Sequence, residues 1–417
     1  MIQQTDKFLS TWACGCTVVI LFVATLGISV DPYMLFGTPR MTGFNARKPA
    51  AAMYERVIKP YDVIRFQPKS IILGSSRTDF GLNAQYPAWP LDVRPVYNLA
   101  LAGGLPYVSY RHLQHVLSRQ RIVLVVMGLE FELFIKFSES DHRLDEPDSR
   151  NPLGHEERLA VTSDGLPNPM QNWQYAVDAV RTLSLESLRA SLGTVNANLT
   201  HESWDMVDGN LVRQDSGNAG GAAVVAFSMH NIGSVKVVHG TSSTAKIDQN
   251  TMMRLQSILE LCESYGVRVI LFISPMHADV LEIFERAGLW PLLENWKREL
   301  TAMVAHHSDE NRSDNVILWD FSGYNSLSTE SVALSGNLLR TYWDPYHYKR
   351  VVGDTIIRSI FGVGAPEGAQ LMPENIESHL HAIRMQQRLY REFCQVDSQR
   401  IRDLYDLVAH NINMNGR

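Results

Sequence analysis

Two short motifs contain the residue types that acyl-transfer chemistry requires. The first is Gly74-Ser75-Ser76-Arg77, which directly follows the apolar run Ile71-Ile72-Leu73. If that run is a parallel strand, Ser76 lies at its carboxyl end, where open α/β sheets bind their ligands. The motif is not a Gly-x-Ser-x-Gly elbow, because Thr78 stands in the last position. A turn that merely precedes a helix is the alternative interpretation of this segment.

The second motif is Asp344-Pro345-Tyr346-His347, which precedes the last helical pattern of the α/β part. Of the 14 histidines, His347 alone has an aspartate three residues before it. A carboxylate so close to an imidazole can accept the proton on Nδ1, which leaves the other ring nitrogen to take a proton from a serine hydroxyl. The alternative is that Asp344 is a helix N-cap and His347 lies in the first turn.

The elements that must position these motifs alternate between two patterns. Short apolar runs, typical of strands buried on both faces, alternate with segments of helical periodicity. The predicted strands are residues 70–73, 96–101, 122–128, 267–274 and 316–321. The predicted helices are residues 106–119, 249–265, 280–306 and 347–361. This alternation predicts an α/β domain with a parallel sheet.

This order of elements and motifs resembles the SGNH/GDSL hydrolase superfamily. A strand followed by Gly-Ser-Ser comes early, and Asp-x-x-His comes before the last helix. The resemblance covers residues 66–135 and 247–361, and it implies a flavodoxin-like, three-layer α/β/α domain. It also implies that Ser76 is the nucleophile, Asp344 the orienting acid and His347 the general base.

Two further blocks bear on the oxyanion site that the resemblance implies. The segment from Asn98 to Gly104 resembles the glycine block of the family, so Gly103 or Gly104 is expected to supply a backbone N–H. At the third block the resemblance implies an asparagine, but this chain reads Gly128-Leu129-Glu130. An acid aimed at a developing oxyanion would repel it, and a lost donor costs about 3 kcal/mol of transition-state stabilisation. Glu130 is a candidate to bind Arg77 or a substrate hydroxyl instead.

Three histidines outside these motifs have local interpretations. His112 and His115 lie three residues apart on a predicted surface helix, and they are expected to face solvent. His277 follows the predicted strand at residues 267–274, so it is a candidate to line the same crevice as Ser76.

The N-terminus predicts a membrane anchor. Residues 8–30 contain no charge, and about 20 apolar residues suffice to cross a bilayer. A buried core helix and a cleaved signal peptide are the alternatives, but the run is longer than a typical signal h-region. Lys7 precedes the run and Arg40, Arg47 and Lys48 follow it, so charge does not settle the orientation. A cytoplasmic orientation therefore stays open.

Composition and spacing give the domain organisation. We predict an anchor at 1–33, a linker at 34–65, an SGNH-like domain at 66–136 and 248–365, an insertion or cap at 137–247, and a helical tail at 366–417. A net charge of −6 argues against nucleic acid as a partner. With four scattered cysteines and no metal or nucleotide motif, the sequence predicts no metal and no cofactor.

The resemblance also implies a function. The Gly-Ser-Ser form resembles membrane-tethered proteins of alginate acetylation and D-alanyl transfer, which act with a membrane-bound O-acyltransferase. It implies an acyltransferase or acylesterase acting on exopolysaccharide or another envelope glycan, or on an acylated small molecule. Such a protein would be a single-pass protein of a bacterial inner membrane with its main domain in the periplasm. The alternative is a non-catalytic envelope protein that binds glycan or acts as a scaffold.

Overall fold

A computed structural model describes residues 2–138, 155–182, 184–200, 204–207, 209–213, 220–311, 315–332 and 339–415. Part of the predicted insertion, including 139–154 and 214–219, lies outside the described residues. The helices are α1 Ile2–Val30, α2 Pro49–Met53, α3 Glu55–Phe66, α4 Ser76–Gly81, α5 Pro106–Leu117, α6 Gln171–Arg181, α7 Leu185–Thr200, α8 Gly220–Val238, α9 Gln249–Ser264, α10 Ala278–Arg286, α11 Trp290–Asn311, α12 Arg350–Ile360, α13 Ile376–Phe393 and α14 Gln395–Asn415. The strands are β1 Ser70–Leu73, β2 Val96–Asn98, β3 Leu124–Leu129, β4 Ile135–Lys136, β5 Trp204–Val207, β6 Asn210–Arg213, β7 Lys246–Ile247, β8 Arg268–Ile273, β9 Val316–Asp320 and β10 Ala369–Leu371.

The chain divides into two compact units. The first comprises residues 1–67 and 151–215, and the second comprises residues 68–150 and 216–417. The segment expected to be one insertion, 137–247, is thus divided between them, and α8 belongs to the second unit. The segment expected to be a linker, 34–65, contains α2 and most of α3.

Within the described part of the second unit, six strands form one sheet in the order β10-β9-β8-β3-β1-β2. All neighbours are parallel except β10, which runs antiparallel to β9. Every residue of β1 and β3 is buried, as expected for strands covered on both faces. The predicted parallel α/β sheet is confirmed for its five predicted strands, with strand ends that differ by up to three residues, and the antiparallel β10 was not predicted.

The helices of the second unit cover this sheet. Val352 and Ile356 of α12 share a core cluster with Ile72 of β1, Val126 of β3 and Phe272 of β8. The pattern at 280–306 predicted one helix, but α10 ends before Gly288, which adopts φ +77°. A left-handed backbone there breaks the helix, and α11 starts after it.

The prediction that His112 and His115 face solvent is wrong. Both side chains are fully buried, because α5 packs against α9. Nδ1 of His112 lies 3.1 Å from the carbonyl oxygen of Val108, one turn earlier in α5.

In the first unit, α1 has the length and composition of a membrane-spanning helix. Within its segment Lys7–Val30, an 18-residue window has a mean hydropathy of 2.3, and no other helix among the described residues is both long and apolar enough to cross a membrane. The last turns of α1 pack against α7, where an added Cβ on Gly27 would lie 3.1 Å from the Thr182 carbonyl oxygen and 3.6 Å from Ser187 Oγ.

A buried ion pair fastens α11 and α13 to the end of β9. Lys297 Nζ lies 2.7 Å from Asp320 Oδ2, and His379 Nε2 lies 2.9 Å from the same oxygen. Burial alone would raise the pKa of Asp320. The charge of Lys297 and the hydrogen bond from His379 outweigh burial and hold that pKa below its ordinary value.

Replacing Lys297 by Met is expected to lower the free energy of unfolding by about 3–5 kcal/mol at neutral pH, because a buried carboxylate loses its cation. In the unsubstituted chain, the stabilisation from Asp320 is present above the pKa of an unfolded aspartate, about 3.9. It is lost as the pH falls through the depressed pKa of the folded state. The difference between the two proteins should therefore shrink in acid. Urea unfolding in detergent at neutral and acid pH measures it.

The control for this stability measurement is an exposed ion pair. Arg286 and Asp406 lie 2.6 Å apart, with side chains 44% and 55% exposed. Arg286→Met is expected to cost at most about 1 kcal/mol. If Lys297→Met and Arg286→Met lost the same free energy of unfolding, the buried pair of Lys297 and Asp320 would stabilise the fold no more than an exposed pair.

Candidate active site

The turn after β1 presents Ser76 at the carboxyl edge of the sheet. Ser75 is the N-cap of α4, and its hydroxyl accepts a hydrogen bond from the Arg77 N–H at 3.4 Å. Gly74 adopts φ +141°, and an added Cβ would lie 2.5 Å from Thr78 Oγ1. A side chain at Gly74 would therefore be strained and would clash, which explains the glycine before the two serines.

Ser76 and Glu130 lie on either side of the point where the strand order of the sheet reverses. Numbered in chain order, the five parallel strands are arranged 2-1-3-4-5, so β2 lies on one side of β1 and β3 lies on the other. Ser76 lies three residues after the end of β1, and Glu130 directly follows β3. Open α/β sheets bind ligands in the crevice at such a switch point.

Ser76, His347 and Asp344 form a hydrogen-bonded series. Ser76 Oγ lies 2.8 Å from His347 Nε2, and His347 Nδ1 lies 2.7 Å from Asp344 Oδ2. The other carboxylate oxygen of Asp344 accepts the N–H groups of Tyr346 at 2.9 Å and His347 at 3.1 Å. The structure thus brings together the three residues that the sequence proposed as catalytic.

The backbone around Asp344 is a loop and not a helix start. Tyr342 and Tyr348 form an antiparallel bridge that closes the loop, and α12 begins at Arg350 with Lys349 as its N-cap residue. The alternative interpretation of Asp344 as a helix N-cap is therefore wrong. Burial favours the protonated acid, but the hydrogen bond and charge of His347 outweigh it and lower the pKa of Asp344. Asp344 is thus an anion that can stabilise an imidazolium.

The two candidate glycines have different roles. Gly104 donates its N–H to the Leu101 carbonyl oxygen at 2.7 Å, and an added Cβ would lie 3.0 Å from the Gly74 carbonyl oxygen. Gly103 adopts φ +64° and lines the cavity that contains Ser76. Gly103 is therefore the better placed of the two to offer an N–H to a substrate.

Arg77 binds an acid that the sequence did not indicate. Its Nη2 lies 2.6 Å from Glu132 Oε1, and its guanidinium lies 4.8 Å from the centre of the Tyr346 ring. Glu130 instead accepts a hydrogen bond from the Ser75 hydroxyl through Oε2. Within the described residues, Arg77 Nη1, Glu130 Oε1 and Glu132 Oε2 are buried without a hydrogen-bond partner.

A cavity of about 600 Å³ joins these groups. Ser76, Arg77, Glu130, Glu132 and His347 line its polar part. The apolar part is lined by Leu133, Phe137, Met229, Val237, Val238 and Phe284. The wall from α8 falls within the segment expected to be an insertion.

Two polar contacts hold α8 in place. Ser234 Oγ lies 2.7 Å from the Tyr346 hydroxyl, next to His347 in the chain. Asn231 donates to the buried Asp279 at 2.8 Å, and Arg400 of α14 lies 2.7 Å from the same carboxylate oxygen. The cavity wall is therefore tied both to the His347 loop and, through Asp279, to the last helix.

His277 does not line this cavity in the part of the chain that the structure describes. Its Nδ1 accepts the Asp279 N–H at 3.2 Å as the N-cap of α10, and Nε2 lies 2.7 Å from the Glu330 carbonyl oxygen. The imidazole is buried at a helix start, so the expectation that His277 lies in the crevice is wrong.

No protein-family model matches the chain, and no curated protein matches it. Among the described residues, no group of three or more His, Cys, Asp or Glu side chains is arranged to hold a metal ion.

Proposed function

We propose that this protein is a membrane-anchored acyltransferase or acylesterase of the SGNH type, acting on exopolysaccharide or another cell-envelope glycan. The observation that carries the proposal is the series Ser76–His347–Asp344, with both distances within 2.8 Å. Such a series gives a serine hydroxyl a general base and gives that base a fixed tautomer. The strand order 2-1-3-4-5 is that of flavodoxin-like sheets and supports the proposed SGNH-type fold.

The proposed reaction has two steps. Ser76 Oγ attacks the acyl carbon of an ester while His347 Nε2 takes the hydroxyl proton, and Asp344 stabilises the imidazolium. The ester C–O bond then breaks, and His347 gives the proton to the departing alcohol oxygen, leaving an acyl group on Ser76. In the second step a glycan hydroxyl or water attacks the acyl carbon while His347 takes its proton. The bond between that carbon and Ser76 Oγ then breaks, His347 returns the proton to Ser76 Oγ, and the new ester or the free acid leaves.

The cavity suits both parts of such a substrate. The apolar wall formed by α8, Leu133, Phe137 and Phe284 can hold an acyl chain. Arg77 and Glu132 line the polar part of the cavity, and a guanidinium donor and a carboxylate acceptor suit a sugar hydroxyl there. A membrane-bound O-acyltransferase is the proposed source of the acyl group, and α1 would hold the chain in a bacterial inner membrane with the site facing the periplasm.

A fluorophosphonate probe tests the proposal on the unsubstituted protein in detergent. An activated serine attacks the phosphorus and displaces fluoride, so we expect covalent labelling that mass spectrometry places on Ser76. Heat-unfolded protein is the control, because it has the same serines without the His347 contact. Labelling that is absent, or equal in folded and unfolded protein, would favour the alternative of a non-catalytic glycan-binding or scaffolding protein.

A further inference from the structure

The helix α7 buries polar side chains and exposes apolar ones, which reverses the usual pattern of a helix in water. Leu185, Leu192 and Leu199 are spaced seven residues apart, so they share one face, and they are 81%, 58% and 67% exposed. We call this stripe the leucine face. The side chains that α7 buries are small or polar: Ser187, Ser191, Thr194 and Asn198. An exposed apolar stripe of this length indicates a surface that contacts something other than water.

The polar face of α7 packs against α1, the proposed membrane-spanning helix. An added Cβ on Gly27 would lie 3.6 Å from Ser187 Oγ, so the two helices are in close contact there. Small residues at such a contact are typical of helices that associate in membranes. Gly27 is three residues, or about 5 Å, before Val30 at the end of α1. In a bilayer spanned by α1, the first turn of α7 therefore lies where acyl chains meet headgroups.

The last turn of α7 is also held close to the end of α1. Asn198 Oδ1 accepts the Arg47 N–H at 2.8 Å, and Asn198 Nδ2 donates to the Arg47 carbonyl oxygen at 2.9 Å. The next residue, Lys48, donates through Nζ to the Val30 carbonyl oxygen at 2.8 Å. Both ends of α7 are thus near the last turn of α1, which is the arrangement of a helix that lies along a membrane surface.

The preceding helix, α6, has the same reversal. It buries Gln174 and Asp178 and exposes Trp173 and Val180, which are seven residues apart on one face. Tryptophan favours the boundary between acyl chains and headgroups. Two consecutive helices of the unit that contains α1 therefore present apolar side chains outward.

We propose that the leucine face of α7 is a second membrane-binding surface, which inserts among the acyl chains of the leaflet where α1 ends. The charged residues of α7 are one acid and one base, Glu186 and Arg189. Contact with acyl chains, and not attraction to anionic lipid, is therefore the source of binding. The inference rests on the membrane-spanning role that the proposed function gives to α1.

Photochemical cross-linking tests the inference on the unsubstituted protein in phosphatidylcholine vesicles. The probe is a phospholipid with a diazirine near the headgroup end of one acyl chain. Light converts the diazirine to a carbene, which inserts into side chains that touch the chain. Mass spectrometry is expected to find lipid adducts on residues 184–200 as well as on α1, with a yield that high salt leaves unchanged.

Met253 of α9 is the control for this cross-linking, because it is an exposed apolar side chain in the second unit. We expect no adduct on it. Adducts on α1 without any on α7 would overturn the inference. Equal adducts on Met253 and α7 would also overturn it, because labelling would then follow exposure and not position in the bilayer.

Spin labels at two neighbouring positions measure which face of α7 meets the lipid. Leu192→Cys places a nitroxide on the leucine face, and Gly193→Cys places it about 100° around the helix. Gly193 is exposed, and an added Cβ there has no neighbour within 4 Å, so the label fits. The other accessible cysteines are replaced by alanine in both chains: Cys14, Cys16 and Cys394.

The measured quantity is the ratio of two collision rates, with oxygen, which concentrates among acyl chains, and with a water-soluble nickel chelate. We expect this ratio to be several-fold higher at Leu192→Cys than at Gly193→Cys. Equal ratios would overturn the inference. A label at Leu192→Cys that neither reagent reaches would also overturn it, because a second copy of the chain or another protein would then cover the leucine face.

A label at Phe22→Cys separates this inference from the proposed function, since Phe22 is exposed on α1. If that label lies among acyl chains while the label at Leu192→Cys lies in water, the inference fails and the anchor stands. If both labels lie in water, the proposed anchor fails as well. Fluorophosphonate labelling of Ser76 is measured independently of both.

Discussion

Ester hydrolysis should fall by about 10⁶-fold when Ser76 is replaced by Ala, because the acyl-enzyme can no longer form. The Ser76 hydroxyl is the group that faces His347 Nε2 at 2.8 Å, and alanine leaves that base without an oxygen to deprotonate. The loss should appear in kcat, since the cavity that binds the substrate keeps its walls. The measurement is release of a chromogenic alcohol, together with transfer of the acyl group to a glycan acceptor.

Ser257→Ala is the matched control for this experiment. Ser257 lies on α9 and its hydroxyl bonds to the Met253 carbonyl oxygen within the same helix. Its loss should leave kcat unchanged. If Ser76→Ala retained the activity of the unsubstituted protein, a different group would be the nucleophile and the proposed mechanism would be wrong.

The second large effect is expected at Asp344. Replacing it by Asn should lower kcat by about 10⁴-fold, although the side chain keeps its shape. An amide N–H facing His347 Nδ1 favours the tautomer with the proton on Nε2, and that nitrogen can then no longer accept the Ser76 proton. The amide also cannot stabilise an imidazolium by charge. Steady-state kinetics at saturating ester, with KM determined separately, measure the effect.

Asp403→Asn provides the same chemical change away from the site. Asp403 is exposed on α14, where it accepts a hydrogen bond from Gln399. That variant should keep the unsubstituted rate. An Asp344→Asn protein that is equally active would mean that His347 does not depend on the carboxylate, and the role of Asp344 would reduce to holding its loop.

Features that depend on one short segment of the chain were predictable from the sequence. The run Ile71-Ile72-Leu73 is apolar on both faces and forms a central strand. Glycine follows this run because the turn requires φ +141° at residue 74, where Thr78 lies too close for a side chain. Asp344 and His347 are near enough in sequence for one loop to hold both, so their pairing needs no distant partner.

Features that depend on distant segments were not predictable. The partner of Arg77 is Glu132, 55 residues away, and nothing in their spacing distinguishes Glu132 from Glu130. The cavity wall from α8 was expected to be part of an insertion, since small and apolar residues alone do not indicate which surface they cover. Strand β10 has one buried residue, Leu371, in three, so it lacks the pattern of a core strand.

The position of α8 is set by contacts that involve two other helices and the His347 loop. Its Asn231 shares the buried Asp279 of α10 with Arg400 of α14, so α8 and the last helix contact the same carboxylate. Substrate preference is therefore open to change from outside the cavity. For the proposed acyl transfer, substitutions around Arg400 in a directed-evolution library are expected to shift α8 and alter which acyl groups are accepted, while Ser76 and His347 stay as they are.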